Sequence, residues 1–497
     1  MRNRLALPAR GGTPLPTFCA AFGLLGLVKC PMCWYNKDEL NRNRTERDDL
    51  MPNPILPLWE HIPDGEPRVF GDRVYLYGSH DRPLAGDFCD IRLKAWSAPI
   101  DDLDHWTCHG DIFHAQADED HPADVTWHDM TPCDKHMMYA PDVVEKDGKY
   151  YLFTYIFFDK GCVSVADKPE GPFKVISTYK YAPEDAGDGG VYNDPGVLVD
   201  DDGRVYIYYG FEKSHMNELD PADMCTVLPG SLKLHVIDDE DGTPEERRFF
   251  EASSPRKIGD TYYLIYSPRK GSRLAYATAD KPTGPFTYRG YIVDNSNDYP
   301  GGNDHGSIMK VGDQWYIFYH RMTNGTCFSR QACAERITIL PDGTIPPVEM
   351  TSLGFSKTLN PYEETPAHRA CVLRNGGMIK YLNEFHTVVD ELRSGTVVGY
   401  KYFDFGEDNS ATHIDLVMEL RGLGEAGRVT VHLDDAANEA IGEGCFTGDD
   451  QLLKVKLPCI TGRHAVYFTF HDDRPQISWG GMHDRRLTRV ERFVFKK

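Results

Sequence analysis

From about residue 51 the chain alternates short aromatic runs with polar turns and shows few apolar periods of helical spacing. One strand pattern returns five times: Arg73-Val74-Tyr75-Leu76-Tyr77, Lys149-Tyr150-Tyr151-Leu152-Phe153, Arg204-Val205-Tyr206-Ile207-Tyr208, Thr261-Tyr262-Tyr263-Leu264-Ile265 and Gln314-Trp315-Tyr316-Ile317-Phe318. Each copy follows a Gly/Asp turn: Gly71-Asp72, Asp147-Gly148, Asp202-Gly203, Gly259-Asp260 and Gly312-Asp313. A short strand, a polar turn and an aromatic strand predict a β-hairpin. The middle tyrosines are spaced 76, 55, 57 and 53 residues apart. A second repeat runs Ala166 to Phe173 (ADKPEGPF) and returns from Ala279 to Phe286 (ADKPTGPF). All-strand repeats of about 40–55 residues are propeller blades. Five copies predict a five-bladed β-propeller over residues 51–355. The long first spacing predicts an insertion around His105 to Lys135, read from its Asp and His content as a solvated loop.

The region 356–497 carries no sixth copy. Its runs Ile414 to Met418, Arg428 to Leu433 and Ala465 to Phe470 alternate apolar with polar residues, as strands of an antiparallel sandwich do. The fold class is therefore all-β, a five-bladed β-propeller followed by a β-sandwich. Residues 1–50 stand apart. Arg2, Arg4 and Arg10 precede an apolar run from Phe18 to Val28 that is too short to span a bilayer. It has signal-peptide proportions but no clean cleavage site. We read it as a leader or as an extension upstream of a start at Met51, with a slight preference for the second.

Composition narrows the partners. Apolar residues at 41% and charged residues at 26% exclude a disordered or fibrous chain. Fifty-four Lys and Arg against 76 Asp and Glu give −22, the wrong sign for binding phosphate backbones, so no nucleic acid is expected. No other segment predicts a membrane span. Thirteen cysteines, an odd and scattered set, suit a reducing cytoplasm, with secretion as the alternative should the leader direct it. Cys30 and Cys33 have no second pair at zinc-site spacing.

The chemistry-bearing pattern is acidic. Asp64, Asp142, Asp194, Glu251 and Asp304 stand 11, 9, 12, 12 and 12 residues before the five middle tyrosines. Innermost propeller strands line one axis, so their heads meet at one mouth. One Asp before a strand is ordinary turn chemistry; five in register predict a carboxyl-lined pocket. Crowded carboxyls cannot all ionise. The spread supplies an acid and a base near neutral pH. With no metal motif, nucleophile elbow or phosphate loop, this points to glycoside hydrolysis.

Several segments carry a resemblance. Asn53-Pro54-Ile55-Leu56-Pro57, Asp64-x-x-Pro67, Tyr139-Ala140-Pro141-Asp142-Val143, Asn193-Asp194-Pro195-Gly196, Phe250-Glu251-Ala252-Ser253-Ser254 and Asn303-Asp304-His305-Gly306-Ser307 resemble glycoside hydrolase family 43, in the right order, from Met51 to Gly354. The resemblance implies a five-bladed propeller that cleaves α-L-arabinofuranosyl or β-D-xylosyl linkages with inversion. It implies Asp64 as general base, Glu251 as general acid and Asp142 as the residue that orients and tunes the acid. Glu66 is a rival base. Asp194, Tyr139 (where many members have Trp) and Arg321 are expected against substrate, an oligosaccharide or polysaccharide. No cofactor is expected for the chemistry. His305 matches a histidine that contacts a structural Ca2+ or Na+ in the channel through water. Gly427 through Asp434 to Gly442, with Thr461 to His464, resembles carbohydrate-binding module family 6. A retaining fructan-type propeller and a non-catalytic glycan-binding propeller are the alternatives.

Overall fold

At each turn before an aromatic strand the backbone reverses through the left-handed region, and a glycine stands there: Gly71, Gly148, Gly203, Gly259 and Gly312, with φ from 59° to 84°. In the computed structural model, which describes residues 52–125, 136–157, 160–301, 305–383, 386–408, 410–474 and 485–497, these turns begin five antiparallel sheets. The leader, Cys30, Cys33 and Asp304 lie outside the described residues.

Four blades have four strands. The innermost strands are Glu66–Phe70, Met138–Lys146, Gly196–Val199 and Phe249–Ile258, and the fifth, three-stranded blade begins with Gly306–Val311. Each innermost strand touches the next, and the last touches the first, so the ring closes. The fifth blade's open edge is covered by the first described residues. Ile55 N donates to Ala332 O (3.0 Å), and Asn53 exchanges bonds with the Ala334 backbone (2.9 and 3.1 Å). An unpaired strand edge is thereby avoided. The second repeat ties blades together: Tyr77 of the first blade donates to Pro169 O at 2.7 Å, and Tyr208 of the third donates to Pro282 O.

The insertion differs from the expected loop. Thr107–His114 is the fourth strand of the first blade, and Ile112, Phe113 and His114 are buried. The alternation was masked because its first half faces solvent. Residues 126–135 lie outside the described set.

The C-terminal region forms two packed sheets, one built on Met378–Asn383, His386–Leu392, Thr488–Lys496, His413–Gly422 and Gln451–Pro458, the other on Val372–Arg374, Val397–Asp404, Arg463–His471, Gly427–Leu433 and Gly442–Phe446. Phe403, Phe468, Phe493 and Phe495 fill the space between. The same apolar core continues into the propeller through Tyr400, Cys371, Tyr319 and Cys333. Arg321, expected against substrate, is 1% exposed and lies at this junction. It donates to Ala370 O (3.2 Å), His368 O (2.7 Å) and Gln331 Oε1 (3.1 Å), so it holds the sandwich to the fifth blade and does not line the carboxyl-bearing cavity. Arg321→Ala leaves buried carbonyls unpaired and should cost about 2–4 kcal/mol. A lower Tm with an unchanged KM on small aryl glycosides is the expected result; a raised KM alone would return Arg321 to the site.

Candidate active site

The heads of the innermost strands are bent in a way that other residues avoid. Asp64 (φ 56°), Ala140 (35°), Asp194 (48°) and Ala252 (66°) all sit in left-handed backbone. Asp tolerates this region because its side chain can bond locally; Ala has no such compensation and carries about 1–2 kcal/mol of strain. The bends turn the following strand down the channel and leave acidic side chains at the mouth. Gly196 is needed beside them: a Cβ there would lie 2.1 Å from Ser253 O. The bare backbone lets the third and fourth blades close up, and Asp194 Oδ2 accepts from Ala252 N at 3.1 Å.

Strand register separates the carboxyls into two levels. Opposite the middle tyrosines stand Arg68, Val144, Leu198, Arg256 and Met309. Asp64 and Asp194 lie four residues before their reference positions. Glu251 lies five before, the extra residue absorbed by the irregular pairing between Glu251 and Ser254. Asp142 lies only two before Val144, the same place as Glu66 before Arg68. Both therefore fall two residues further down the channel, on the same strand face but deeper.

There they form a buried ionic layer. Arg68 grips Asp142 through Nε (3.0 Å) and a second nitrogen (2.6 Å), and Val197 N donates to the same carboxylate at 2.7 Å. Arg256 pairs with Glu66, whose carboxyl stays below its ordinary range: burial works to raise it, and Arg256 and Arg68 outweigh burial. Asp142 was expected beside the acid and Glu66 as a rival base. Neither lines the mouth; their charges are matched by two guanidiniums.

The mouth opens into a cavity of about 570 Å3, within the usual range for small-molecule sites. Asp64, Asp194, Glu251, His305 and Arg330 share its floor with Tyr139, Tyr155, Phe157, Phe88 and Phe211 as apolar walls. Of the expected residues, Asp64, Glu251, Asp194, Tyr139 and His305 are brought together here. Asp64 Oδ1 accepts from Arg330 (2.8 Å) and Oδ2 from Ser79 (2.7 Å). Its carboxyl is held below the ordinary value: burial, the largest influence, pushes up, but Arg330, His305, His320 and Ser79 together prevail. Asp194 goes the other way, to about 6, because burial and the Asp64 charge outweigh His305, the Ala252 N–H and Arg330. His305 Nδ1 stands 3.7 Å from Asp64 and 4.0 Å from Asp194.

Arg330 escaped the sequence reading. Asp81 takes its fork through both oxygens, each at 2.9 Å, and fixes the remaining nitrogen on Asp64. An arginine in a strand interior, in a blade whose neighbour carries an acid at the same level, was the available signal.

A five-bladed propeller whose mouth presents one carboxylate held ionised and other carboxyls around an aromatic-walled cavity is the frame of a carboxyl-driven glycosidase. The chain belongs to glycosyl hydrolases family 43, whose model matches residues 51–345. A xylosidase/arabinosidase of Thermoclostridium stercorarium is 36% identical over 84% of this chain and 95% of its own length. An arabinoxylan arabinofuranohydrolase of Paenibacillus polymyxa is 27% identical over 88% of this chain and 74% of its own. Among solved structures, a β-xylosidase/α-arabinofuranosidase from a compost metagenome, crystallised with xylotriose, is 28% identical over 60% of this chain and 97% of its own, with a TM-score of 0.48.

Proposed function

We propose that this glycosidase cleaves α-L-arabinofuranosyl or β-D-xylosyl linkages of hemicellulose-type oligosaccharides with inversion of configuration. The carrying observation is the split between Asp64, held ionised by Arg330, and Asp194, raised to about 6, on one cavity wall with Glu251. The full-length relative named xylosidase/arabinosidase supports the substrate class. In the reaction, Asp64 takes a proton from a water molecule as that water attacks the anomeric carbon. Glu251 gives its proton to the departing oxygen. The two groups stand on the first and fourth blades, which are not neighbours in the ring, and this leaves room for the water. Membership of the family disfavours the fructan-type and non-catalytic alternatives. Rates on 4-nitrophenyl α-L-arabinofuranoside, β-D-xyloside and β-D-galactofuranoside, with proton NMR of the first-formed sugar, test the reading. A retained anomer overturns it.

Asp194, rather than Asp142, tunes the acid in this proposal. Its charge, once formed above about pH 6, disfavours loss of the neighbouring Glu251 proton. Asp194→Asn removes that charge. The alkaline limb of the kcat/KM profile should then move to lower pH, while Asp142→Asn should reduce stability. Exchange of those two outcomes would restore Asp142.

A structural Ca2+ or Na+ beside His305 belongs to the same proposal. Asp64 and Asp194 face Nδ1, which leaves the Nε2 side of the ring to hold, through a water molecule, a cation whose own shell is oxygen. No catalytic step uses it. Chelation should lower Tm and leave kcat at 25 °C unaltered; loss of kcat at a temperature where the chain stays folded would give the ion a part in the chemistry.

A further inference from the structure

At the outer edge of the first blade the chain folds back on itself just after His114. Asp124 N donates to His114 O at 2.9 Å, and Asp124 Oδ2 accepts from His114 N at 2.7 Å. The fold-back lays the His121 ring on the His114 ring, with centroids 3.9 Å apart and planes 13° from parallel. One donor atom from each of His114, His121 and Asp124 lies within 4.8 Å of the other two. None of the three lines the catalytic cavity.

His114 is the anomaly. It is 1% exposed, yet among the described residues neither ring nitrogen has a hydrogen-bond partner. Asp111 and Asp118 approach Nε2 at 3.3 and 3.6 Å without hydrogen-bond geometry, and Arg92 holds both, at 3.1 and 3.2 Å. A buried polar nitrogen left this way destabilises the fold unless a ligand takes it up. His121 is preset in addition. Its Nδ1 lies 2.7 Å from Pro122 O, which fixes the proton on Nδ1 and leaves the Nε2 lone pair outward. Ligating histidines are oriented in this way by a carbonyl on the far ring nitrogen.

We propose that His114, His121 and Asp124 bind a divalent transition-metal ion of the zinc class. Two imidazoles and one carboxylate, with a water in the fourth position, suit zinc and do not suit calcium or magnesium, which take oxygen shells. Arg92 engages Asp111 and Asp118, as it does Asp90, so among the described residues Asp124 is the carboxylate without an arginine partner and is the one placed to ligate. Binding requires the stacked rings to splay, which exposed His121 can do by side-chain rotation. The ion would clip the 115–124 loop to the end of the outer strand.

The test uses the full chain, stripped with chelator and titrated with zinc chloride alone, against His121→Ala. His121 is exposed, so this variant keeps the core, and equal hydrolysis of an aryl glycoside by both stripped proteins verifies the fold. Wild type should bind one more equivalent of zinc than the variant, or bind it more tightly by at least the roughly 10–100-fold that loss of even a supporting group costs. Zinc should raise Tm in wild type only. Cobalt should give a four-coordinate visible spectrum in wild type that the variant lacks. Equal stoichiometry with equal thermal response, or no zinc bound by wild type, overturns the site.

Discussion

Asp64→Asn should abolish hydrolysis of every glycoside, whatever its leaving group, with kcat/KM falling about 10²–10⁴-fold. The amide fits the same space but cannot take the proton of the attacking water. It also sets an NH2 group or a neutral oxygen against Arg330, which now donates to Asp64 at 2.8 Å. The effect is expected in kcat more than in KM, because water activation belongs to the transition state. The environment supports this strongly. Asp64 is buried, Ser79 holds its second oxygen, and Arg330 is itself locked by Asp81. Such a carboxylate stays ionised well into acid, so the enzyme's acid limb should not be set by Asp64 at neutral pH. Steady-state rates on a nitrophenyl glycoside and on a xylo- or arabino-oligosaccharide check it together. A variant that fails only on the oligosaccharide would show Asp64 to be the acid.

How much of this was legible in the chain depends on how far apart the partners lie. The blades were readable because each hairpin is local: a Gly/Asp turn, then an aromatic strand, five times over. Asp64, Asp194 and Glu251 were readable for the same reason, since each is fixed by its distance from its own hairpin. The expected place of Asp142 at the mouth failed on that very measure. Its spacing of 9, against 11 and 12 elsewhere, sets it two residues further along its strand on the same face, and that step in depth decides between mouth and channel. Arg321 and Arg330 lie across one hairpin, Arg321 opposite Gln331 and Met322 opposite Arg330. Nothing local says which faces the sandwich and which the cavity. Arg330 is settled by Asp81 and Asp64, 249 and 266 residues away, and Arg321 by the backbone of residues 368 and 370. The two left-handed alanines, 140 and 252, gave no signal, because alanine, unlike glycine or asparagine, does not mark such backbone in a sequence.

Glu251→Gln should divide substrates by leaving group. An alkoxide leaving a sugar needs a proton as the bond breaks, so oligosaccharide hydrolysis should fall about 10²–10⁴-fold. A nitrophenolate scarcely needs one, so the best aryl substrates should lose less than about tenfold, and the alkaline limb of their pH profile should flatten. The site is built for such a proton to be held and aimed. Glu251 sits at the irregular step in its strand pairing, followed by left-handed Ala252, so its side chain turns to the cavity rather than into the ladder. Ala252 N also donates to Asp194, which couples the backbone beside Glu251 to the carboxyl that burial and the Asp64 charge raise to about 6. Asp194 is thus the one serious rival for the role, and the experiment separates them. If Glu251→Gln loses both substrate types equally while Asp194→Asn spares the aryl glycoside alone, the proton comes from Asp194 and Glu251 only positions the sugar. If Glu251→Gln alone shows the split, the proton is its own.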